Sequence, residues 1–265
     1  MYRSWLCACA ALVLAAQVVS AQEPKQSLDG TQSRGVPKHN YALIGKQPKE
    51  LFNGKDLTGW DGDSRVWSVE NGAIVGHTKG VPLKQNTFLI WKDGNVKDFK
   101  LTLEFKLEGG NSGIQYRSKV IDPKQWIVGG YQADMDGENQ YTGILYEERG
   151  RGILAKRGER LTIGRDGEKH AVQFGDAAEL AKNIHVNGWN EYVVEARGAR
   201  LKHTINGKLM SETIDHDREH RAASGVLALQ VHAGLPEPMK VSFRKIRLEE
   251  FEPRARKRGQ RTDTK

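Results

Sequence analysis

Between residues 98 and 107 the chain reads DFKLTLEFKL, where Leu101, Leu103, Phe105 and Leu107 alternate with Lys100, Thr102, Glu104 and Lys106. A period of two puts the apolar side chains on one face of an extended backbone, so this segment predicts a strand with one side buried. The same alternation recurs over 192–197, 200–205 and 208–214. The last two are joined by Asn206-Gly207, a pair suited to the left-handed backbone of a two-residue hairpin turn. Further strands are predicted at 66–69, 73–77, 87–91, 112–117, 127–134, 141–147, 225–232 and 239–248. Only 176–183 (DAAELAKN) reads as helix. Many short strands with turn residues between them predict an all-β sandwich or barrel.

The two ends have a different texture. Residues 1–21 combine Arg3, an apolar run from Trp5 and a small-residue exit at Val19-Ser20-Ala21, the pattern of a cleaved secretory signal. This predicts export to the periplasm or beyond, with an uncleaved anchor as the other reading. Residues 22–48 are polar and read as a linker, leaving 49–252 as the folded domain. Both cysteines, Cys7 and Cys9, fall in the signal segment, so the mature domain would contain neither a disulfide nor a thiolate site. The tail 253–265 sets six basic residues against Asp263 and carries most of the net charge of +8. It lacks apolar periodicity and predicts a disordered terminus. With no interleaved aromatics it predicts no specific nucleic-acid partner, only weak contact with an anionic envelope surface. Nothing in the pattern encodes an oligomeric state.

An ordered set of motifs adds a resemblance. ELFNGKDLTGW (50–60), WSVENG (67–72) with Gly76-His77, NSGIQYR (111–117), GGYQAD (129–134), GILYEERGR (143–151), Trp189-Asn190, GVLALQVH (225–232) and VSFRKIR (241–247) together resemble the 3-keto-disaccharide hydrolase domain family over about 50–249. The resemblance implies a two-sheet antiparallel β-sandwich, a concanavalin-like jelly roll, with a carbohydrate ligand on one sheet. It also implies hydrolysis of glycosides whose sugar bears a ketone at C3. A lectin-like module without catalysis is the alternative, because the same fold serves binders.

Strand parity groups several candidate residues. In 226–232, Leu227, Leu229 and Val231 share one face, and Gln230 and His232 share the other with Ala228. In 131–136, Gln132, Asp134 and Asp136 share a face. Laminarinase-type jelly rolls carry Glu-x-Asp-x-x-Glu on one strand, and many keto-sugar relatives carry Glu-x-Gln. Here Gln132-x-Asp134 puts an amide where a nucleophile would stand, which disfavours a two-carboxylate retaining mechanism. A ketone at C3 acidifies the C2 proton, so one base, one acid and one donor to the enolate oxygen suffice for elimination and hydration. Asp134, Glu147 and His232 are the catalytic candidates, Glu147 because the resemblance over 143–151 falls on it. Arg117 and Arg244 are candidates for the enolate or sugar hydroxyls; Gln132, Arg149, Gln230 and Trp126 complete the substrate-binding set. Trp60, Trp67 and Trp189 read as core. No cofactor motif stands out; Asp122, Asp136 and Glu138 could offer oxygens to a divalent cation, without a recognisable ligand spacing. Phosphate loops, dinucleotide fingerprints and G-x-S-x-G elbows are absent.

Overall fold

A computed structural model of the chain describes residues 41–43 and 48–253. The predicted signal segment with its cysteines, most of the predicted linker and the basic tail beyond Pro253 lie outside the described residues. In chain order the strands are β1 (Tyr41–Leu43), β2 (Lys49–Glu50), β3 (Trp60–Asp61), β4 (Trp67–Glu70), β5 (Ala73–His77), β6 (Thr87–Trp91), β7 (Phe99–Glu108), β8 (Asn111–Asp122) and β9 (Ile127–Asp136). There follow β10 (Leu145–Glu148), β11 (Gly152–Ala155), β12 (Glu159–Ile163), β13 (Lys169–Gln173), a short helix α1 (Ala177–Ala181), β14 (Asn190–Arg197), β15 (Arg200–Ile205), β16 (Lys208–Asp215), β17 (Val226–Val231) and β18 (Lys240–Pro253).

They form two sheets. The larger runs β13-β12-β16-β15-β14-β7-β18-β5-β4, with β1 and β2 also paired to β18. The smaller runs β11-β10-β9-β8-β17-β6-β3 and is antiparallel throughout. One pair in the larger sheet, β12 with β16, is parallel. The expected sandwich is therefore present, with that single departure from antiparallel pairing.

The alternation that predicted β7 is what joins the sheets. Phe99, Leu101, Leu103, Phe105 and Leu107 point inward with Tyr192, Val194 and Ala196 of β14, and meet Ile114, Tyr116, Tyr131, Ala133, Met135, Leu227, Leu229 and Val231 from the smaller sheet. Burying each large apolar side chain contributes about 1.5–3 kcal/mol. The Asn206-Gly207 turn has positive φ at both residues, as a type I′ hairpin requires. Trp60 and Trp67 are core residues; the Trp60 indole donates to the Leu51 carbonyl at 2.8 Å. Trp189 is only partly buried and lies under the Arg244 guanidinium at 3.9 Å. The strands of 152–155, 159–163 and 169–173 were not predicted. The first two are short and the third is exposed at all five positions, so no periodic signal announces them.

Candidate active site

A cavity of about 650 Å³ opens on the face of the smaller sheet that is turned away from the core. Its floor is made by the polar parity of three neighbouring strands: Asn111 on β8, Gln132 and Asp134 on β9, and Gln230 on β17, with His232 just beyond that strand. Asn86, Tyr146 and Glu148 form one side, and the 136–144 connection forms the other through Glu138, Gln140, Tyr141 and Ile144. The size lies within the range of small-ligand sites.

Asp134 is the buried group at the centre. Its Oδ1 accepts from Gln132 Nε2 at 2.6 Å and its Oδ2 from Asn111 Nδ2 at 3.1 Å. Burial pushes its pKa up to about 7, against the opposing pull of those two donors. Beneath the floor, His203 bridges the sheets. Its Nδ1 donates to the Ile144 carbonyl at 3.1 Å, so its Nε2 accepts from the Tyr116 hydroxyl at 3.0 Å. Burial lowers its pKa to about 4, which keeps it neutral. The same Ile144 carbonyl accepts the Asp134 backbone N–H at 3.3 Å, so the carboxyl is fixed from behind as well.

The far wall is rigidly built. Asp136 turns its carboxylate onto the backbone N–H groups of Gln140, Tyr141 and Thr142 and the Thr142 hydroxyl. From outside the loop, buried Arg157 donates to the carbonyls of Asn139, Thr142 and Ala177 and to the Asn139 side chain. Asp136 thus braces the loop. Asp122 is far along β8, capping the N–H groups of Lys124 and Gln125. Among the described residues, no group of three or more acidic, His or Cys side chains is arranged to hold a metal ion.

Gly113 is what lets the floor exist. It stands opposite Asp134 on β9, and a Cβ there would lie 2.4 Å from Gln132 Cδ and 2.7 Å from its Nε2. The missing side chain leaves the space through which Gln132 leans to Asp134. Gly113→Ala should therefore lower unfolding free energy by about 1–3 kcal/mol, measured by urea titration. A wild-type unfolding curve would show that Gln132 can move aside freely.

Of the predicted site residues, Gln132, Asp134, Gln230 and His232 meet in the cavity. Glu147 does not. Alternation from inward Leu145 turns it toward the core side, where it pairs with Arg151 at 2.6 Å, and Glu148 takes the cavity face instead. Arg117 is buried at a register shift in β8, with positive φ, and is spent on the Lys97 and Gly198 carbonyls and Asp98. Arg244 belongs to the larger sheet, where it pairs with Glu104 and stacks on Trp189. Arg149 sits outside the cavity lining, in the β10–β11 turn, and donates to Gln85 at 3.1 Å. Trp126 packs on Phe88, Ile90, Val128 and Ala228, covering the same sheet face away from the cavity. The cavity lining contains no lysine or arginine, so the enolate-binding role given to arginines has no support there. The parity of Leu145 was the signal that could have selected Glu148.

A β-sandwich whose outward sheet face gathers amides, a carboxyl and an imidazole around one cavity is a carbohydrate-active domain. The chain belongs to the 3-keto-alpha-glucoside-1,2-lyase-like domain family, whose sequence model matches residues 47–249. Among solved structures, it is similar to a candidate glycosyl hydrolase from Parabacteroides distasonis ATCC 8503 at 19% identity, covering 77% of this chain and 100% of that one, with a TM-score of 0.52. A second from that organism gives 22% identity, 76% and 93% coverage and a TM-score of 0.50. A Bacillus subtilis protein of galectin-like fold gives 12% identity, 81% and 100% coverage and a TM-score of 0.52. At these identities the likenesses show the fold. No curated protein matches the chain significantly.

Proposed function

We propose that this chain cleaves glycosides in which the sugar carries a ketone at C3, by removing the C2 proton and expelling the C1 substituent. The observation that supports this best is Asp134, a carboxyl with a pKa raised to about 7 on the floor of a sugar-sized cavity. A base of that strength is matched to a ketone-acidified C–H near neutral pH. Asp134 takes the C2 proton, and the electron pair becomes the C2–C3 enolate. Collapse of the enolate restores the C3 carbonyl, forms the C1–C2 double bond and breaks the C1–O bond. His232 gives a proton to the departing oxygen, and Gln230 binds a sugar hydroxyl. Addition of water across C1–C2 then completes a net hydrolysis.

The cavity also supports the case against a retaining glycosidase. Glu148 faces the cavity, but its β9 partner is Gly130, four residues from Asp134. At the rise of a strand, the two backbone positions are about 13 Å apart, where a glycosyl-enzyme needs carboxyl groups about 5–5.5 Å apart. The signal pattern at the N-terminus supports action outside the cytoplasm.

The test is incubation with a 3-keto-glucoside and with its unoxidised parent, following release of the C1 substituent. Release from the keto compound alone is expected. Cleavage of the parent alone removes the elimination mechanism; tight binding without cleavage makes the domain a carbohydrate-binding module.

A further inference from the structure

Gln132 is almost fully buried, and each end of its amide already has a partner. Nε2 donates to Asp134 Oδ1 at 2.6 Å, and Oε1 accepts from Gln115 Nε2 at 2.7 Å. Gln115 is its direct cross-strand partner on β8 and is fully buried. The Gln115 Oε1 in turn accepts from the Ser118 hydroxyl at 2.6 Å. All three side chains are at most 2% exposed. We propose that Ser118 and Gln115 are positioning residues for the cavity carboxylate: their hydrogen bonds hold and polarise the Gln132 amide whose donor end faces Asp134.

The logic is one of direction. An amide has one donating and one accepting end, and the two exchange places when the group turns over. An ionised carboxylate only accepts, so it requires Nε2 of Gln132. That leaves Oε1 toward Gln115, which must present its own Nε2 and direct its Oε1 at Ser118. Ser118 ends the chain by donating its hydroxyl proton to that oxygen. Each bond in such a series polarises the next, so a donor three groups away strengthens the one that touches Asp134. Ser118 has two other acceptors in reach, the carbonyls of Tyr116 at 3.1 Å and Tyr131 at 3.3 Å. The shorter contact to Gln115 is where its proton is used.

Loss of the relay should make the ionised carboxylate less favourable and raise its proton affinity. The other groups around Asp134 are the cavity residues Asp136, Glu138, Glu148, Glu237, Tyr146 and His232, with Tyr192 acting from the opposite sheet. None belongs to the relay, so substitutions in it leave their charges in place.

The experiment follows the Asp134 carboxyl by carbon NMR during a pH titration, in the wild type, Gln115→Met and Ser118→Ala. Either variant should move the midpoint upward by about half a pH unit, a roughly threefold change in proton affinity. Ser118→Ala removes a single oxygen and keeps the test valid where Gln115→Met disturbs folding. An unchanged midpoint in both variants, with Gln132→Met shifting it, overturns the relay. A kinetic arm rests on the reading of Asp134 as the base: the acid limb of kcat/KM on a 3-keto-glucoside should move with the NMR midpoint while KM stays within twofold. Because the titration needs no substrate, failure of the relay and failure of the lyase reading are distinguishable.

Discussion

Asp134→Asn should abolish turnover of a 3-keto-glucoside, with kcat falling by about 10²–10⁴-fold, the contribution usual for a positioned general base. Asparagine keeps the size and one accepting oxygen, so Gln132 Nε2 retains its partner, but it cannot take up a proton. Folding should not suffer. The folded carboxyl has its pKa raised from 3.8 to about 7, so the native state binds the extra proton between those values and stability falls as pH rises through that window. Removing the titrating group removes that decline. In the wild type, kcat/KM should rise with pH through about 7 as the base ionises, and the variant should have no such limb. Unchanged turnover in Asp134→Asn would take Asp134 out of the mechanism.

The largest stability effect is expected elsewhere, at Arg151→Ala. Arg151 gathers Glu147 at 2.6 Å, Asp215 at 2.7 Å and Asp217 at 3.3 Å, and the Tyr131 hydroxyl donates to the same Asp215 at 2.5 Å. Asp215 is fully buried, and Glu147 and Asp217 nearly so. The cluster ties the β10–β11 hairpin of one sheet to the end of β16 in the other. Without the guanidinium, buried carboxylates face one another with no cation, which costs about 3–5 kcal/mol. Chemical unfolding at neutral pH measures this. A loss below about 1 kcal/mol would mean the cluster is replaceable.

Glu147 and Glu148 show what strand periodicity can and cannot deliver. Parity on β9 and β17 was plain from Tyr131, Ala133 and Met135, and from Leu227, Leu229 and Val231, so Gln132, Asp134, Gln230 and His232 were found together. On β10 only Leu145 sets the phase, and the resemblance falls on Glu147, one residue short of the cavity-facing Glu148. Arg117 failed for a different reason. A register shift and a positive φ interrupt β8, so alternation counted from Ile114 no longer says where the side chain goes. Arg244 has regular spacing, but nothing in a linear pattern assigns a strand to one sheet or the other. Gln115 was hidden because its meaning lies in a partner 17 positions away. The fold was legible because burial repeats along each strand; the relay was not, because hydrogen-bond direction leaves no periodic trace.

The loop at 136–144 has a consequence for variation. Its backbone is held by Asp136 from the strand and Arg157 from outside, while Glu138, Gln140 and Tyr141 project at the cavity rim, exposed. Scaffold and rim are thus encoded by separate residues. Replacing exposed side chains of this kind usually changes stability by no more than about 0.5 kcal/mol. New sugar substituents could be accommodated by exchanging the three rim residues alone, with the carboxyl and its donors left undisturbed.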